Sequence, residues 1–435
     1  TKSEVVRRLL LFDPYTPLDS IKMKETARVL RSQYHIRRVY IQPVATHSAD
    51  SVDIRVNVLD SWSLYADAMG SLNEGTVRVF ERNFLGLGHQ LSGRYSQEIR
   101  GSTRPSFGFD YEIPNLYATT LNASVGYSMD FDKYYYKYGS LSRPYYSLYT
   151  RWAGGASVYQ RTFDDTILKN DSLYRPDFKV SGSNLWGSVS FPILKRYTPV
   201  NRVTNMVFSL RYYRINYLKK PDEFLDPEHF YSDKNTFLAS LGVNYIGYEQ
   251  DRYIFRHQDI EDIPIGKSVA LIGGFQDNLG YRTPYLGGRL RYGDYFSFGY
   301  LAADVQLGGF LTQKRNKQTT LRWEFTYFSP LFNIGQWHFR QFVKWRSVVG
   351  LSRKDYVKDR ISLNGSTGII GFNSPTLTGI HKSILTLQTQ SYSPFALWGF
   401  RVSPFLMGDI GFIGNDNRNL LKDQMLTKVG IGFYI

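Results

Sequence analysis

Residues 236–247 read "TFLASLGVNYIG". Phe237, Ala239, Leu241, Val243 and Tyr245 alternate with Leu238, Ser240, Gly242 and Asn244. A strand points successive side chains to opposite faces, so this spacing gives one apolar face and one mixed face. The same alternation returns in 301–309, where Leu301, Ala303, Val305 and Leu307 interleave with Ala302, Asp304, Gln306 and Gly308. It returns again at 428–435, where Val429, Ile431, Phe433 and Ile435 interleave with Lys428, Gly430, Gly432 and Tyr434.

No long helical period occurs after Trp62. Segments of about ten residues recur roughly every 23 residues, the spacing of transmembrane barrel strands joined alternately by short turns and long loops. About sixteen candidate strands follow, roughly 62–71, 75–82, 88–98, 105–113, 119–129, 153–164, 181–192, 203–216, 236–248, 266–276, 299–312, 318–329, 336–349, 383–393, 398–413 and 426–435. A soluble β-sandwich has the same local pattern. A propeller would show a blade repeat of about 40–45 residues, and none is present.

Composition separates these classes. The chain has 435 residues, 34 Tyr, 29 Phe and 7 Trp, with a mean hydropathy of −0.33. No apolar run approaches the roughly 18–20 residues of a membrane helix. High aromatic content without continuous hydrophobicity fits an outer-membrane barrel, with alternating faces and aromatic girdles at both interfaces. There is no cysteine, hence no disulfide, thiolate metal site or Cys nucleophile. The formal net charge is +15. Its basic residues are scattered, without the runs that mark a nucleic-acid surface. A cationic lumen or contact with anionic lipid headgroups accounts for the charge, and no nucleic-acid partner is expected.

Residues 1–60 differ. Val5, Val6, Leu9 and Leu10 suggest the end of a helix. In "FDPYTPLDS" (12–20), Thr16 can cap, Pro17 suits a first helical position and Asp19 completes a capping-box-like pattern. Met23, Ala27, Leu30 and Tyr34 then fall on one helical face. Two strands follow, in "RVYIQPV" (38–44) and in "SVDIRVNVLD" (51–60), where Val52, Ile54, Val56 and Val58 make one buried face. The expected organisation is a small α/β module over 1–60 and a β-barrel over 61–435.

This arrangement resembles the BamA/TamA-type outer-membrane assembly superfamily, in which periplasmic POTRA domains (polypeptide-transport-associated) precede a barrel of about 16 strands. "MKETARVLRSQYHIRRVYIQPV" (23–44) is similar to a POTRA helix and strand, and "SVDIRVNVLDSW" (51–62) to the last POTRA strand entering the barrel. "ERNFLGLGHQL" (81–91) resembles the family's first hairpin, with Asn83, Gly86 and Gly88 on its turn. "YEIPNLY" (111–117) resembles a returning strand with a Pro turn.

The family carries a long extracellular loop that folds into the lumen, with an Arg-Gly-Phe/Tyr tip that packs on an Asp-bearing strand. "GIIGF" (368–372) falls at that place: Gly368, Gly371 and Phe372 fit, and Ile370 stands where the family has Arg. "GDIGF" (408–412) resembles the partner strand, with Asp409 as the carboxylate, and Gln388 replaces an intervening acidic residue. Without the motif Arg, Asp409 needs another cation, because an unpaired dehydrated carboxylate is costly. Arg340, Arg346 and Arg401 are the expected candidates.

The resemblance implies five strands after the loop. The sequence has room for about three, so the chain is expected to stop short of the closing strands and to begin downstream of its export signal. It also implies a lateral seam at the first strand, around Ser63, Leu64, Tyr65 and Ala66, where a client strand could pair.

"GSTGIIGF" (365–372) lacks the Lys-Ser/Thr and the helix of a phosphate loop. No H-E-x-x-H or G-x-S-x-G motif occurs. Ser96 in "RYSQE" and His338 in "HFRQF" form a chance Ser/His pair, read as lumenal polar residues. The cluster "DKYYYKYG" (132–139) is read as an interfacial girdle or loop cluster. The expected function is therefore non-enzymatic, without metal or cofactor. It is assisting insertion or translocation of client proteins at the outer membrane of a Gram-negative bacterium. The alternatives are a two-partner secretion pore and an accessory barrel subunit. Expected partners are outer-membrane lipids or lipopolysaccharide, unfolded clients, and other complex subunits or lipoproteins.

Overall fold

The computed structural model describes the chain except residues 49, 71–73, 100–103, 118, 194–203, 312–317, 352–358, 366, 371, 373, 375–376, 397–400, 416–423 and 435. Gly371 therefore lies outside the described residues.

The N-terminal module holds α1 (Ser3–Arg7), α2 (Ser20–Arg31), β1 (Ile36–Ala45) and β2 (Val52–Asp60). Then come β3 (Leu64–Gly70), β4 (Glu74–Phe84), β5 (His89–Glu98), β6 (Pro105–Leu116), β7 (Leu121–Met129), β8 (Tyr135–Arg143), β9 (Trp152–Asp164), β10 (Ile167–Lys169), β11 (Ser172–Tyr174), β12 (Asp177–Pro192) and β13 (Thr204–Lys219). Next are β14 (Lys234–Asp251), β15 (Glu261–Asn278), β16 (Tyr281–Phe296), β17 (Gly299–Phe310), β18 (Thr319–Phe328), β19 (Phe332–Ile334) and β20 (Trp337–Leu351). The last are β21 (Ile361–Ser362), β22 (Thr378–Gly379), β23 (His381–Tyr392), β24 (Ser403–Gly414) and β25 (Gln424–Tyr434). Nineteen of these strands fall in one large antiparallel sheet, while β1–β2, β10–β11 and β21–β22 are separate pairs.

Besides the short β10, β11, β19, β21 and β22, two long strands escape the sequence reading. β8 overlaps the tyrosine cluster read as a girdle or loop, and β16 fills a gap in the expected spacing. In β8, "YYKYGSLSR" shows no alternation because Tyr suits either face. Tyr136 and Tyr138 face the same way as Ser140 and Ser142, and Tyr138 donates to Asp110 (2.9 Å). In β16, Pro284, Gly287 and Gly288 mask the alternation of Leu286 and Leu290 with Arg289 and Arg291. After β22 the described residues hold three strands, β23, β24 and β25, the number for which the sequence has room.

The chain divides into two compact units. One holds residues 1–190, 209–237 and 276–282, the other 191–208, 238–275 and 283–435.

In the first unit, β3 to β9 pair in sequence and β9 pairs with β12. One face of this ladder carries Gln90, Ser92, Asp110, Asn122 and Ser140. The other carries Val79, Phe107, Phe109, Val125, Val158 and Leu185, all exposed. Glycines on the polar face let rings lie across the neighbouring strand. Gly182 sits opposite Tyr159, and Gly126 opposite Tyr138; a Cβ at either position would collide with the ring.

The module packs in this same unit. α2 is capped by Asp19, whose carboxylate accepts from Ile21 N (2.9 Å) and Lys22 N (3.2 Å). Thr16, the expected cap, instead donates to Asp13 O (2.7 Å). The buried face of α2 centres on Thr26, Val29 and Leu30 and joins Leu9, Ile36 and Val39. Tyr34, expected on that face, lies beyond the helix and is exposed. Glu25 and Arg28 pair (2.8 Å) and reach the β8–β9 turn, through Leu148 N (2.8 Å) and Tyr146 O (2.9 Å).

The β4–β5 turn faces the module. Asn83 Oδ1 accepts from Gly88 N (2.8 Å), and Gly86 O accepts from Lys2 N (3.2 Å). Gly86 and Gly88 adopt φ of +72° and +73°, and a Cβ on Gly88 would lie 2.9 Å from the His35 ring. His35 itself is buried, and its Nε2 has no partner among the described residues. Burial lowers its pKa, against the opposing pull of Asp60.

A lowered imidazole pKa means the unfolded state binds the proton more readily, so stability is full above about 6.5 and is lost as pH falls toward the folded value. The protection factor of the Ser61 amide, whose N–H bonds the His35 carbonyl (2.9 Å), should fall between pH 7.5 and 5 once the base-catalysed intrinsic rate is divided out. His35→Phe should flatten that dependence. Gly88→Ala should destabilise the junction at all pH values by about 1–2 kcal/mol, the cost of a left-handed non-glycine residue, before any clash is added.

Candidate functional site

The second unit builds its own two-faced ladder, β16–β17–β18–β20–β23–β24–β25. Its apolar face exposes Leu290, Leu307, Trp345, Leu387 and Leu406, ending with Val429 at 78% and Ile431 at 74% exposure. The polar face carries a layer of paired charges. Arg289 and Arg291 meet Asp304, and Lys344 meets Glu324 (2.7 Å). Asp409 lies in this layer, nearly buried. It accepts from Thr386 Oγ1 (2.6 Å), and Lys428 Nζ stands 3.7 Å away.

The cation beside Asp409 is therefore Lys428, the directly paired residue of the next strand, and not Arg340, Arg346 or Arg401. Register explains the correction. A lysine one strand away reaches across a single ladder step, and the three arginines are held elsewhere. Arg346 donates to Gly368 O (3.2 Å). Arg401 lies 3.3 Å from His257 Nδ1, and Arg340 binds Asp251 (2.9 Å). Gln388 bonds Gln390 (3.2 Å).

Two loops lie on the polar face. The first spans β21 to β22. Gly368 N and Ile369 N bond back to Gly365 O (3.1 Å) and Leu363 O (2.8 Å), closing a compact turn. Ile369 is buried with Leu363 against Ile384 and Ile413, and Phe372 packs beside them. Gly411, paired with Ile384, leaves the space that Ile369 Cδ1 fills. Ile370, in the motif position, points away and is exposed. The apolar anchor is thus the residue before the one the motif singles out. Lys382, itself buried, adds a second tie, donating to Ser362 O (2.9 Å) and Thr367 O (3.1 Å). Asn364 closes the base by exchanging two hydrogen bonds with Ser374 (2.8 and 2.9 Å).

The second loop, residues 252–260, has no counterpart in the sequence reading. Arg340 grips Asp251 with both terminal nitrogens (2.9 and 3.3 Å) and also donates to Arg252 O (3.2 Å). Tyr295 donates to the same carboxylate (2.9 Å). Tyr392 donates to the carbonyls of Tyr253 and Ile254, the latter at 2.9 Å. Ile254 is buried with Tyr300 and Phe328, and Phe255 stacks on Phe342.

The other sequence candidates are structural in their surroundings. Asn83, Gly86 and Gly88 form the turn described above. Ser63 precedes β3 and accepts from Arg82 N (2.9 Å). Leu64, Tyr65 and Ala66 pair with Glu81, Phe80 and Val79 of β4, and Arg82 lies over the Tyr65 ring (4.4 Å). Ser96 shares a hydrogen bond with Thr76 (2.7 Å), and His338 with Asn333 (2.6 Å). The first unit also holds a cavity of about 460 Å³ on its polar face, between Tyr34 and the strands β4 to β8.

No family model and no curated protein matches the chain. Among solved structures, it is similar to BamA from Haemophilus ducreyi lacking POTRA domains 1–3, at 13% identity and a TM-score of 0.38, covering 100% of this chain and 75% of that one. It is similar to CdiB from Acinetobacter baumannii at 11% identity and a TM-score of 0.45, covering 100% and 66%. It is similar to CdiB from Escherichia coli at 10% identity and a TM-score of 0.49, covering 100% and 74%.

The loop anchor makes a direct prediction. Truncating a buried isoleucine to alanine removes about 2–5 kcal/mol of packing, so Ile369→Ala should release the loop and speed proteolytic cleavage within 361–372. Ile370→Ala, on the exposed neighbour, should leave cleavage unchanged.

Proposed function

We propose that the chain is an outer-membrane β-barrel of the assembly and translocation superfamily, acting on client polypeptides without catalysing a reaction. The observation that carries this reading is the continuous exposed apolar face of both ladders, backed by a face of hydrogen-bonded polar and charged groups. Soluble monomers rarely expose apolar patches beyond a few hundred Å², whereas lipid requires such a face. Lipid also tolerates no open sheet edge, because unpaired backbone groups cannot be hydrated there. In this reading the first and last strands join, the polar face lines a lumen, and the loop anchored by Ile369 plugs it.

The module is then a periplasmic POTRA domain, and β1 or β2 offers an edge for strand addition by an unfolded client. The seam at Ser63–Ala66 is where the barrel would open for insertion. A secretion pore is the second reading. It is favoured by the plug's mode of attachment, through packing and main-chain acceptors rather than an arginine–carboxylate pair, which leaves the loop releasable. An accessory role within a larger complex, with lipoprotein or lipopolysaccharide contacts, belongs to the same architecture.

Reconstitution in outer-membrane lipid vesicles tests the reading. The protein should insert with its strands protected from protease, and a disulfide between the first and last strands should abolish assembly of a barrel client. Full client assembly by the locked protein would remove the seam mechanism. Client passage that survives the lock but fails when the plug is tethered would establish the pore.

A further inference from the structure

One buried ion pair on the second unit's charged face is not part of the proposed lumen plug. Arg340 is almost fully buried and binds Asp251, 89 residues away in sequence, through a two-point contact. β14, which ends at Asp251, is not a ladder neighbour of β20, so this contact spans the polar face rather than following one pair of strands. Residues 252–260 follow it across that face and seat on side chains from β17, β18, β20 and β23.

The segment is built to hold one shape. Glu261 Oε1 accepts the three successive amides of Ile254, Phe255 and Arg256 (3.0, 2.9 and 3.0 Å). A carboxylate receiving consecutive N–H groups fixes a loop much as a cap fixes a helix terminus. His257 Nε2 donates to Ser393 O (2.9 Å), which leaves the Nδ1 lone pair facing Arg401. On β20, Arg340 and Arg346 are six residues apart, so the two loops are anchored about 20 Å from one another at ~3.3 Å per residue.

We infer that residues 252–260 form a second closure of the polar path, a strap locked by Arg340 and Asp251 at the end opposite the plug. The strap's chemistry differs from the plug's. The plug is held by Ile369 packing and main-chain acceptors, the strap by a buried ion pair and two tyrosine hydroxyls. A path along the polar face therefore needs two independent releases, and removing either loop alone leaves it blocked. This rests on the barrel reading for its meaning as a closure, while the lock itself does not.

The chain has no cysteine, so single-cysteine labelling reads the lock directly in detergent-solubilised full chain. Ile254→Cys should be protected from maleimide. Adding Arg340→Gln should raise its labelling rate tenfold or more, and adding Tyr392→Phe, which keeps the ring in place, should raise it severalfold. Ile369→Cys should stay protected in both backgrounds, which separates strap release from unfolding. If Ile254→Cys labels at the same rate with and without Tyr392→Phe, the lock is refuted. In planar bilayers, deleting 361–379 should leave conductance low, and deletion combined with Arg340→Gln should raise it severalfold. Full conductance from the plug deletion alone overturns the strap as a closure. Failure of the protein to enter bilayers overturns the barrel reading instead, and the labelling result stands apart from it.

Discussion

Every strand turns its side chains alternately to two faces, and in this chain those faces meet different surroundings. The ladder satisfies the backbone, so the sequence has only to keep one parity apolar and the other hydrogen-bonded. That division fixes much else. It puts Leu406 and Val429 outward, and it brings Asp409 beside Lys428, Lys344 beside Glu324, and Arg289 and Arg291 against Asp304. It also leaves a polar surface on which loops can settle only through hydrogen bonds and a few apolar footholds. A one-residue slip would exchange the two faces. The rings of Tyr159 and Tyr138, lying over Gly182 and Gly126, oppose such a slip by keying particular positions of neighbouring strands together.

The two loops show how differently such a surface can be used. A buried arginine–carboxylate contact is directional, and breaking one side leaves the other charge stranded. Arg340 and Asp251 form that kind of joint, reinforced by Tyr295. The loop carrying Ile369 relies on fit, with the side chain filling the space Gly411 leaves open. The two kinds of attachment thus occupy one ladder, with a layer of compensated charge between them.

Much of the architecture was legible because it depends on period and turn chemistry. The alternation in 236–247 and 301–309 placed β14 and β17, and the glycine pair of "ERNFLGLGHQL" marked the β4–β5 turn. The misses have physical causes. Tyr is at home on either face, so "YYKYGSLSR" hid β8. Glycine and proline interrupted the pattern of β16. The helix cap went to Asp19 because its carboxylate reaches two amides, while Thr16 turned back to Asp13.

Sites fared worse than elements, since parity tells which face a residue takes and not which neighbour it meets. Arg340 was a candidate for Asp409, yet its partner is Asp251, 89 residues back at the end of β14, and the segment that follows, "RYIFRHQDI", has no period to announce a loop on that face. Likewise the motif drew attention to Ile370, and the packing fell to Ile369, whose importance follows from the cavity rather than from the sequence. Lys428 could have been found as the partner of Asp409 had the register of β24 and β25 been known.

Arg346 and Lys382 reach the loop between β21 and β22 through main-chain oxygens of Ser362, Thr367 and Gly368. A carbonyl is the same whatever side chain its residue bears. Residues of this loop that point outward, as Ile370 does, are therefore invisible to the groups that hold it. Such a loop can change its outward chemistry by substitution, while the attachment beneath continues to recognise an unaltered backbone.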